Sequence, residues 1–460
     1  MNMIQLPSII ANSASVVTQL AKYLFVLLIL LFVLLDFSYF SRKGQKAKNA
    51  LVAKQIIIIF FFDTLGYVLC FLHTANLFYI LMLGGIYAYL FVTLSGYRMM
   101  YPKSSMLLVN NMLMLLSIGF VIIGRLDLSE ALKQYVIASG ATVLAFLVPV
   151  IIRKLHFLNK LTWLYAILGI ASLLVVFALA VTSRGAKLSI SIGGITVQFS
   201  EIVKITLVFF MAAKLTEKDP IPFRDVVITT IVAAAHVVIL VLSTDLGTAL
   251  VFFIAYIVVI YVATDRAVYP LAGLLGGSLA AVCAYFLFNH VRQRVEAWRN
   301  PFYNYDTTGY QISQSLFAIG AGGWFGTGLY LGRPETIPVA SKDFVFSAIC
   351  EEFGGVFAIA LILICMNTFL LICNISLKIE NRFYKLIALG LGAEYGFQVF
   401  LTIGGVTKFI PMTGITLPLV SYGGSSVLST IILLAIIQGL YILREDEGEE
   451  RERERKRLGY

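Results

Sequence analysis

Charged side chains are scarce in this chain, and their scarcity excludes the usual soluble classes. Only 13% of the 460 residues are charged, whereas a soluble globular domain has about 25%. Hydrophobic residues make up 59% of the chain, and the mean hydropathy is +0.90. Because a membrane-spanning helix needs roughly 20 mostly apolar residues, this composition predicts an all-α polytopic membrane protein with one loop insertion.

Cysteine and histidine are also rare, and neither is spaced like a set of metal ligands. The four histidines form no HExxH or similar cluster, and all the cysteines lie in apolar stretches. We therefore expect buried, inert thiols and no disulfide. The net charge of +10 comes mostly from short loops between apolar runs, so no nucleic-acid partner is expected. The five cysteines are Cys70, Cys283, Cys350, Cys365 and Cys373.

A cleavable signal peptide is not expected either. The first apolar run is long enough to span a membrane, and basic residues follow it where a small-residue cleavage site would stand. The tail 444–460 alternates acids and bases. We expect it to be a solvated helical end with i,i+4 ion pairs, and a docking element for a cytoplasmic partner is the alternative.

Long apolar runs are what the chain has in abundance. The criterion of roughly 20 residues gives about thirteen membrane spans. They are predicted at 18–40, 55–75, 77–97, 105–124, 131–152, 162–182, 197–215, 226–243, 246–263, 270–290, 343–375, 383–405 and 418–443.

Basic residues in the short loops set the predicted orientation. Lysine and arginine crowd the first loop between 42 and 54, so that loop is predicted to be cytoplasmic and the N-terminus outside. Alternation then places the C-terminal tail in the cytoplasm and the long loop of about 291–342 outside. Arg184 and Lys187 fall on the outer side, as exceptions to a statistical rule.

Ionisable residues inside predicted spans are costly and are therefore candidates for function. Glu201 and Lys204 are three residues apart, so they share a helix face and can form an ion pair with each other. Asp245 lies in a short break between two spans, where a helix N-cap is the alternative to a functional role. Asp63, in the second span, is expected to serve packing or local pairing.

Further polar residues surround the last part of the long loop. Asp343, Glu351 and Glu352 open the span that follows it, and their alternative role is to hold the base of the loop against the bundle. Gln398 and Lys408 flank a segment broken by proline and glycine.

The loop contains the glycine-rich stretch GAGGWFGTG. Its spacing fits neither GxGxxG nor GxxxxGK[ST], and no strand precedes it, so a nucleotide site is not expected. We expect these glycines to let the backbone approach a bulky ligand or a neighbouring helix closely.

Five segments, taken together, resemble a known family in order and spacing: QFSEIVK, STDLGTA, GYQISQSLFAIGAGGWFGTGL, DFVFSAICEEFG and PMTGITLPLVSYGGSS. They are similar to the signature segments of the FtsW/RodA/SpoVE family, the SEDS peptidoglycan glycosyltransferases. The resemblance covers 105–443 and implies a ten-helix, GT-C-like membrane core. Residues 1–104, with about three spans, have no counterpart in a typical member and form an N-terminal extension.

The resemblance implies a polymerase of the bacterial cytoplasmic membrane, serving division, elongation or sporulation. Such an enzyme joins lipid II units on the outer face by inverting glycosyl transfer, with undecaprenyl pyrophosphate as leaving group. The implied partners are a class B penicillin-binding transpeptidase, divisome or elongasome proteins, and membrane lipid. A non-catalytic activator of that transpeptidase and a lipid II flippase remain the alternatives.

The reaction needs a base for the sugar hydroxyl. The resemblance places the family's acid, which ends an NPWxD pattern, at Asn304, and an amide cannot act as a base. Asp306 is the only acid between Glu296 and Glu335. We therefore predict that a turn in NYDTTG presents Asp306 as the catalytic base. The alternatives are a protein without the family's base, or an Asp306 that only caps the helix starting near Tyr310.

The remaining predicted site residues bind substrate around one cavity that faces the outer leaflet. Arginines in the loop are expected to stabilise the departing pyrophosphate, and the alternative is that they are ordinary loop charges or contacts to lipid headgroups. Residues of the GYQISQS stretch are expected to share a helix face directed at the cavity. No metal-ligand spacing is present, so a divalent cation, Mg²⁺ or Mn²⁺, would be held by substrate phosphate. The predicted substrate-binding residues are Glu201, Lys204, Arg292, Arg294, Gln311, Gln314, Ser315, Asp343, Glu351, Glu352, Ser421 and Gly423.

Overall fold

The computed structural model of the chain describes residues 8–155, 157–179, 190–192 and 195–458. Helices dominate this part, and a short antiparallel hairpin of two strands is added to them. The predicted all-α polytopic class is confirmed, since twelve helices among the described residues are long and apolar enough to cross a membrane. Arg184 and Lys187, the predicted exceptions to the charge rule, lie outside the described residues.

The elements follow the chain in one order, and their bounds lie within several residues of most predicted spans. They are α1 (Ser8–Ser41), α2 (Gln45–Thr74), α3 (Phe78–Met100), α4 (Met106–Leu126), α5 (Leu128–Ala145), α6 (Val148–Lys154), α7 (Thr162–Leu179), β1 (Ile190–Ile192), β2 (Ile195–Val197), α8 (Ser200–Thr216), α9 (Phe223–Leu242), α10 (Leu246–Thr264), α11 (Val268–Leu287), α12 (Asn289–Arg299), α13 (Tyr310–Gly322), α14 (Val345–Phe353), α15 (Gly355–Leu377), α16 (Arg382–Val406) and α17 (Gly424–Leu458).

The ends of the helices lie on two opposite faces of the bundle. One face, here called the loop face, carries the long segment between α11 and α15. The N-terminal part of helix α1 contacts this face, because Gln19 Nε2 donates to the carbonyl of Thr327 at 3.2 Å. The opposite face holds the end of α17, where Asp446 pairs with Lys103 at 2.8 Å and with Arg153 at 2.7 Å. The two ends of the described chain therefore lie on opposite faces, and which face is extracellular stays a prediction.

Helix α8 is the segment predicted as a span at 197–215, and it has only 17 residues. Its two ends nevertheless contact opposite faces of the bundle. Ser200 Oγ donates to Asp245 at 3.2 Å on the loop face, and Lys214 Nζ lies 3.2 Å from Asp225 Oδ1 on the other. In the described part of the chain the twelve long helices and α8 therefore give thirteen crossings, the number that the sequence predicted.

A close crossing of backbones divides the span predicted at 343–375. Gly354 has a φ of +89° and separates α14 from α15. A Cβ on Gly354 would lie 2.3 Å from the backbone nitrogen of Gly326, and one on Gly326 would lie 2.2 Å from the carbonyl oxygen of Glu352. Only glycine permits this approach. The glycine-rich stretch thus packs on a neighbouring helix, and the predicted span is corrected: α14 belongs to the loop face and α15 crosses.

The N-terminal extension shares one hydrophobic core with the rest of the bundle. Helix α1 packs against α2 and α15, and α2 packs against α4. Buried polar contacts join these helices as well. Ser117 Oγ of α4 donates to Asp63 of α2 at 2.9 Å, and Asn111 Nδ2 donates to Asp36 of α1 at 3.3 Å. Asp63 therefore makes the local pairing predicted for it.

The C-terminal tail is the continuation of α17 and is no separate element. Arg453 and Glu449 form an i,i+4 ion pair at 3.6 Å, as predicted for a solvated helical end. The five cysteines are unpaired. Three of them are buried as expected, whereas Cys373 of α15 is half-buried. Cys283 is exposed, because α11 keeps almost all its side chains on the outside of the bundle.

Candidate functional site

A polar cavity of about 410 Å³ opens on the loop face. Helix α12, the start of α13 and the broken segment between α16 and α17 surround it. Trp298 fixes α12 there, since its Nε1 donates to the carbonyl of Lys408 at 3.1 Å. The side chains that line the cavity include Thr244, His290, Arg294, Thr308, Gln311 and Asp343.

Arg294 is the cation of this cavity. Its Nη1 donates to the carbonyl of Thr413 at 2.7 Å, which fixes the guanidinium against the broken segment. Burial lowers the pKa of Arg294, and the carboxylates of Asp245 and Asp343 oppose that effect. The group stays protonated, because the ordinary pKa of arginine is far above neutral pH. A fixed, desolvated guanidinium of this kind suits the oxygens of a phosphate.

Asp343 meets Arg294 at the edge of the cavity beside Gly414. A Cβ at position 414 would lie 3.8 Å from Asp343 Oδ2 and 3.9 Å from Arg294 Nη2. The carboxylate and the guanidinium therefore converge on the same gap, which stays open because residue 414 has no side chain. Gln311, from the first turn of α13, lines the same cavity. Arg294, Asp343 and Gln311 therefore line one cavity, the position predicted for them.

Asp245 lies beneath Arg294 and caps α10, the alternative that the sequence left open. Its Oδ1 accepts from the backbone N–H of Thr248 at 3.2 Å, and its Oδ2 accepts from Ser200 and Gln198 at the same distance. Burial raises the pKa of the Asp245 carboxyl. Asp245 interacts electrostatically with Arg294 in the cavity and with Glu201 in the interior of the bundle.

Glu201 and Lys204 lie in that interior and do not line the cavity. Lys204 Nζ is 2.7 Å from Glu201 Oε2 and 3.1 Å from Gln398 Oε1, and Ser429 Oγ donates to the same Glu201 oxygen at 2.9 Å. Both members of the pair are less than 10% exposed. The predicted exposure to the cavity is therefore wrong, because closure of α8 on α16 and α17 shields the pair.

Gln314 and Ser315 are also misplaced by the sequence prediction. Gln314 Nε2 donates to the hydroxyl of Tyr305 at 2.8 Å. Ser315 is buried, 2.6 Å from the hydroxyl of Ser347, and donates to the carbonyl of Val406 at 2.8 Å. The two residues therefore tie α13 to its own loop, to α14 and to α16, and only Gln311 reaches the cavity.

Glu351 and Glu352 hold the base of the loop, which was the alternative to a cavity wall. Glu352 Oε1 accepts from Arg125 Nε at 2.9 Å and from the N–H of Tyr330 at 3.0 Å. Glu351 Oε1 accepts from the N–H of Arg333 at 2.6 Å. Burial raises the pKa of Glu352 to about 7, although Arg125 acts in the opposite direction. Neither carboxyl lines the cavity, so the predicted position is corrected.

Asp306 is exposed on the turn before α13, and it is not among the residues that line the cavity. Thr308, two residues further on, does line it. Asn304, at the family's position, is half-buried, and its carbonyl accepts from the N–H of Gly309 at 2.9 Å. The role of Asp306 as a base stays a prediction. Arg292 is exposed and bonds to a neighbouring side chain on α12, so it too lies outside the cavity.

Ser421 and Gly423 shape the broken segment and do not touch the cavity. Ser421 Oγ donates to the carbonyl of Lys342 at 2.6 Å and accepts from the N–H of Leu417 at 2.9 Å. The N–H of Gly423 donates to Gln134 Oε1 at 3.3 Å. These bonds fix the segment that carries the carbonyls facing Arg294.

His290 is a cavity residue that sequence reasoning missed. Burial and the neighbouring Arg294 lower the pKa of its imidazole, so the ring is neutral at pH 7. Its buried Nε2 has no hydrogen-bond partner among the described residues. His290 and Arg294 are four residues apart on α12, and that i,i+4 spacing is the signal that would have found it.

An apolar groove of about 640 Å³ lies on the flank of the bundle, between α10, α15 and α16. Phenylalanine rings form much of its wall, and Ala393 is the lining residue of α16 that is farthest along the chain from Thr407. Thr407 and Phe409 line this groove, whereas Met412 and Gly414 of the same segment line the polar cavity. The polar cavity and the apolar groove are therefore separated by one short stretch of backbone.

No group of three or more His, Cys, Asp or Glu side chains that could hold a metal ion occurs among the described residues.

Comparisons with known proteins agree with this architecture. RodA of Mycobacterium tuberculosis, named a peptidoglycan glycosyltransferase, is 36% identical over 388 residues, which cover 76% of this chain and 82% of RodA. A probable peptidoglycan glycosyltransferase FtsW of Dichelobacter nodosus is 31% identical over 366 residues, covering 74% of this chain and 90% of that protein.

Solved structures share the fold. A chain from a peptidoglycan synthase complex that coordinates polymerization and crosslinking has a TM-score of 0.65 and 26% identity, covering 74% of this chain and 97% of that one. Crystalline Thermus thermophilus rod shape determining protein RodA has a TM-score of 0.57 and 25% identity, with 74% and 96% coverage. The model of the FtsW/RodA/SpoVE family, described as cell cycle proteins, matches residues 98–445. This chain belongs to the FtsW/RodA/SpoVE family.

Proposed function

We propose that this protein is a peptidoglycan glycosyltransferase that joins lipid II units into glycan strands at the outer face of the bacterial cytoplasmic membrane. The observation that carries the proposal is the polar cavity on the loop face, where Arg294 and Asp343 converge on an open gap. The two glycosyltransferase relatives, each at least 31% identical over most of the chain, support the same chemistry.

Arg294 stabilises the departing pyrophosphate in this proposal. Transfer from a lipid-linked sugar places negative charge on the leaving group, and a fixed cation next to that charge lowers the barrier. Arg294 is held by a backbone carbonyl and so needs little reorganisation when the charge develops. Asp343 orients the guanidinium, and Gln311 offers an amide to the sugar or the phosphate.

The base removes the proton of the attacking sugar hydroxyl. Asp343 is poorly suited, because a carboxylate beside a guanidinium is a weak proton acceptor. Among the described residues no cation forms a salt bridge with Asp306, which is exposed two residues before the cavity residue Thr308. We assign the base to Asp306, with the turn before α13 moving onto the acceptor sugar when lipid II is bound.

The polyprenyl tail of the substrate needs an apolar path that is open to lipid. We place it in the groove between α10, α15 and α16, which one short stretch of backbone separates from the cavity. A pyrophosphate at Arg294 then has an apolar surface for its tail on the far side of residues 407–414.

The predicted partners and cation belong to this proposal too. A class B penicillin-binding transpeptidase crosslinks the strands that the cavity makes, and the similar chain from a synthase complex supports such an assembly. Mg²⁺ or Mn²⁺ is held by the substrate's phosphates. Addition of EDTA should therefore lower the rate of lipid II polymerisation, and an unchanged rate would contradict a role for the cation.

A non-catalytic activator is the second candidate, and one observation favours it. Asn304 stands at the position of the family's acid, and the nearby Asp306 lies outside the cavity. A lipid II flippase is less well supported, since its candidate relay of Glu201 and Lys204 is enclosed in a buried pair.

Lipid II polymerisation by the purified protein, with and without its transpeptidase, tests the proposal. Wild type is expected to make polymer, Asp306→Asn to make almost none, and Asp343→Asn to show a partial loss. Wild type that makes no polymer in any pairing, but raises the crosslinking rate of the transpeptidase, would establish the activator. Movement of lipid II across a liposome membrane without product would establish the flippase.

A further inference from the structure

The three N-terminal helices precede the region that the family model matches, except for the last three residues of α3, because that region begins at residue 98. They nevertheless contact a distant part of the chain on the loop face. That part is residues 324–333, here called the braced segment, and it precedes α14. The contacts come from the loop-face ends of α1, α2 and α3.

Helix α1 holds the first half of the braced segment. Gln19 Nε2 donates to the carbonyl of Thr327, and Lys22 Nζ donates to the carbonyl of Gly326, each at 3.2 Å. The ring of Tyr23 lies 5.6 Å from the ring of Phe325. Backbone carbonyls and one aromatic ring of the segment are thus held by a helix more than 300 residues away in sequence.

Helices α2 and α3 hold Tyr330 in the second half. The ring of His73 stacks on Tyr330 at 5.1 Å with an interplanar angle of 11°. The hydroxyl of Tyr330 donates to the hydroxyl of Tyr79 at 3.1 Å, and Tyr79 donates in turn to the carbonyl of Gly124 at 3.0 Å. The guanidinium of Arg125, from α4, lies 4.3 Å from the centre of the Tyr330 ring.

The backbone at Tyr330 adopts an unfavourable conformation. Its φ is +70°, in the left-handed region that residues with a bulky side chain avoid. Such a conformation persists only when the surrounding structure fixes it. The stack on His73 and the bond to Tyr79, both from the extension, are two of the contacts that fix it.

The braced segment wraps the end of α14 and so connects the extension with the cavity. The N–H groups of Thr327 and Gly328 donate to the carbonyls of Glu351 and Glu352 at 2.9 and 3.0 Å. Helix α14 starts two residues after Asp343. It also packs along α13, which carries Gln311 into the cavity. Movement of the braced segment would therefore move both sides of the cavity.

We propose that α1, α2 and α3 form an intramolecular brace that positions Asp343 and Gln311 for the reaction. Tyr330 is the residue of the braced segment through which α2 and α3 act. Tyr330 and His73 are positioning residues and touch no substrate. The exchange measurement below does not depend on the proposed glycosyltransferase function, whereas the kinetic measurement does.

Hydrogen exchange of the full-length protein in nanodiscs gives the first test. Tyr330→Ala and His73→Ala are expected to raise amide exchange about tenfold over 326–333, and also over 343–349 beside the cavity. Tyr330→Phe, which loses the hydroxyl and its bond to Tyr79 but keeps the ring that stacks on His73, is expected to give an intermediate increase. Tyr303→Ala is the matched control, because Tyr303 is a tyrosine of the same loop and is 91% exposed.

The outcomes separate this inference from the proposed function. Unchanged exchange over 343–349 in both alanine variants overturns the brace, whether or not the protein makes polymer. Raised exchange supports it even if wild type is inactive. If wild type polymerises lipid II, the alanine variants should lose about tenfold in kcat, and Tyr330→Phe should recover most of that rate. Raised exchange with unchanged kcat would show that the contacts are structural only. Size-exclusion profiles identify a variant that fails to fold, and Tyr330→Phe then decides.

Discussion

The two sides of the loop face are built on different principles. On the extension side, the braced segment and Glu352 are held by hydrogen bonds, a ring stack and a buried ion pair. On the cavity side, the carboxylate of Asp306 is exposed and His290 keeps a buried ring nitrogen without a partner in the described chain. One loop therefore has a fixed half and an open half. The fixed half can position residues, and the open half retains the polar groups that a substrate needs.

The largest effect is expected from breaking the fixed half at Glu352. Glu352→Ala leaves Arg125 without its buried partner, which should cost about 3–5 kcal/mol in the free energy of unfolding. Glu335→Ala is the matched control, because Glu335 pairs with the same Arg125 but is 59% exposed at its side chain, and should cost less than about 1 kcal/mol. Thermal unfolding in detergent measures both. Equal losses would show that burial does not distinguish the two pairs.

In the open half, Arg294→Ala should reduce the rate of lipid II polymerisation about 100-fold, because the fixed cation beside the leaving group is lost. Arg292→Ala is the control, since Arg292 lies on the same helix but is exposed outside the cavity. The initial rate of polymer formation is the measurement. A similar loss in both variants would mean that the helix attracts the substrate by general positive charge, without a site at Arg294.

A smaller effect is expected in the apolar groove. Ala393→Leu narrows the groove at the lining residue of α16 farthest along the chain from Thr407 and should raise the KM for lipid II about fivefold. A lipid II analogue with a short prenyl tail should be affected less, because it does not reach that residue. The KM of each substrate is measured with both proteins, and an equal change for the two tails would place the polyprenyl chain elsewhere.

The smallest effect is expected from pH, through its influence on thermal stability. Burial raises the pKa of Glu352 to about 7, above its ordinary value, so its favourable contribution is full at low pH and is lost as pH rises through about 7. Wild type should therefore lose thermal stability between pH 4.5, the ordinary pKa, and about pH 7, and Glu352→Gln should show a flatter profile. Parallel profiles for the two proteins would assign the loss to other groups.

Much of this architecture follows from the sequence, because the apolar runs specify the crossings with little help from tertiary context. Even α8, which is short and carries a buried ion pair, was placed as a span. The position of Gly354 could not be inferred, since a helix break by close backbone contact depends on Gly326 from another part of the loop.

The site was predicted less completely than the fold. Helical spacing shows that Gln311, Gln314 and Ser315 share a face, but it cannot tell which neighbour that face meets. Two of the three turn away from the cavity. The contacts of Gln19 and Lys22 with the loop span more than 300 residues, and no local pattern indicates them.

The choice of base is the central claim, and a rescue measurement tests it most directly. Lipid II polymerisation is compared for wild type, Asp306→Asn, and Asp306→Asn combined with Asn304→Asp. We predict that the single variant loses the activity and that the second change, which restores an acid at the family's position, returns a measurable part of it. Full activity in Asp306→Asn would contradict the account.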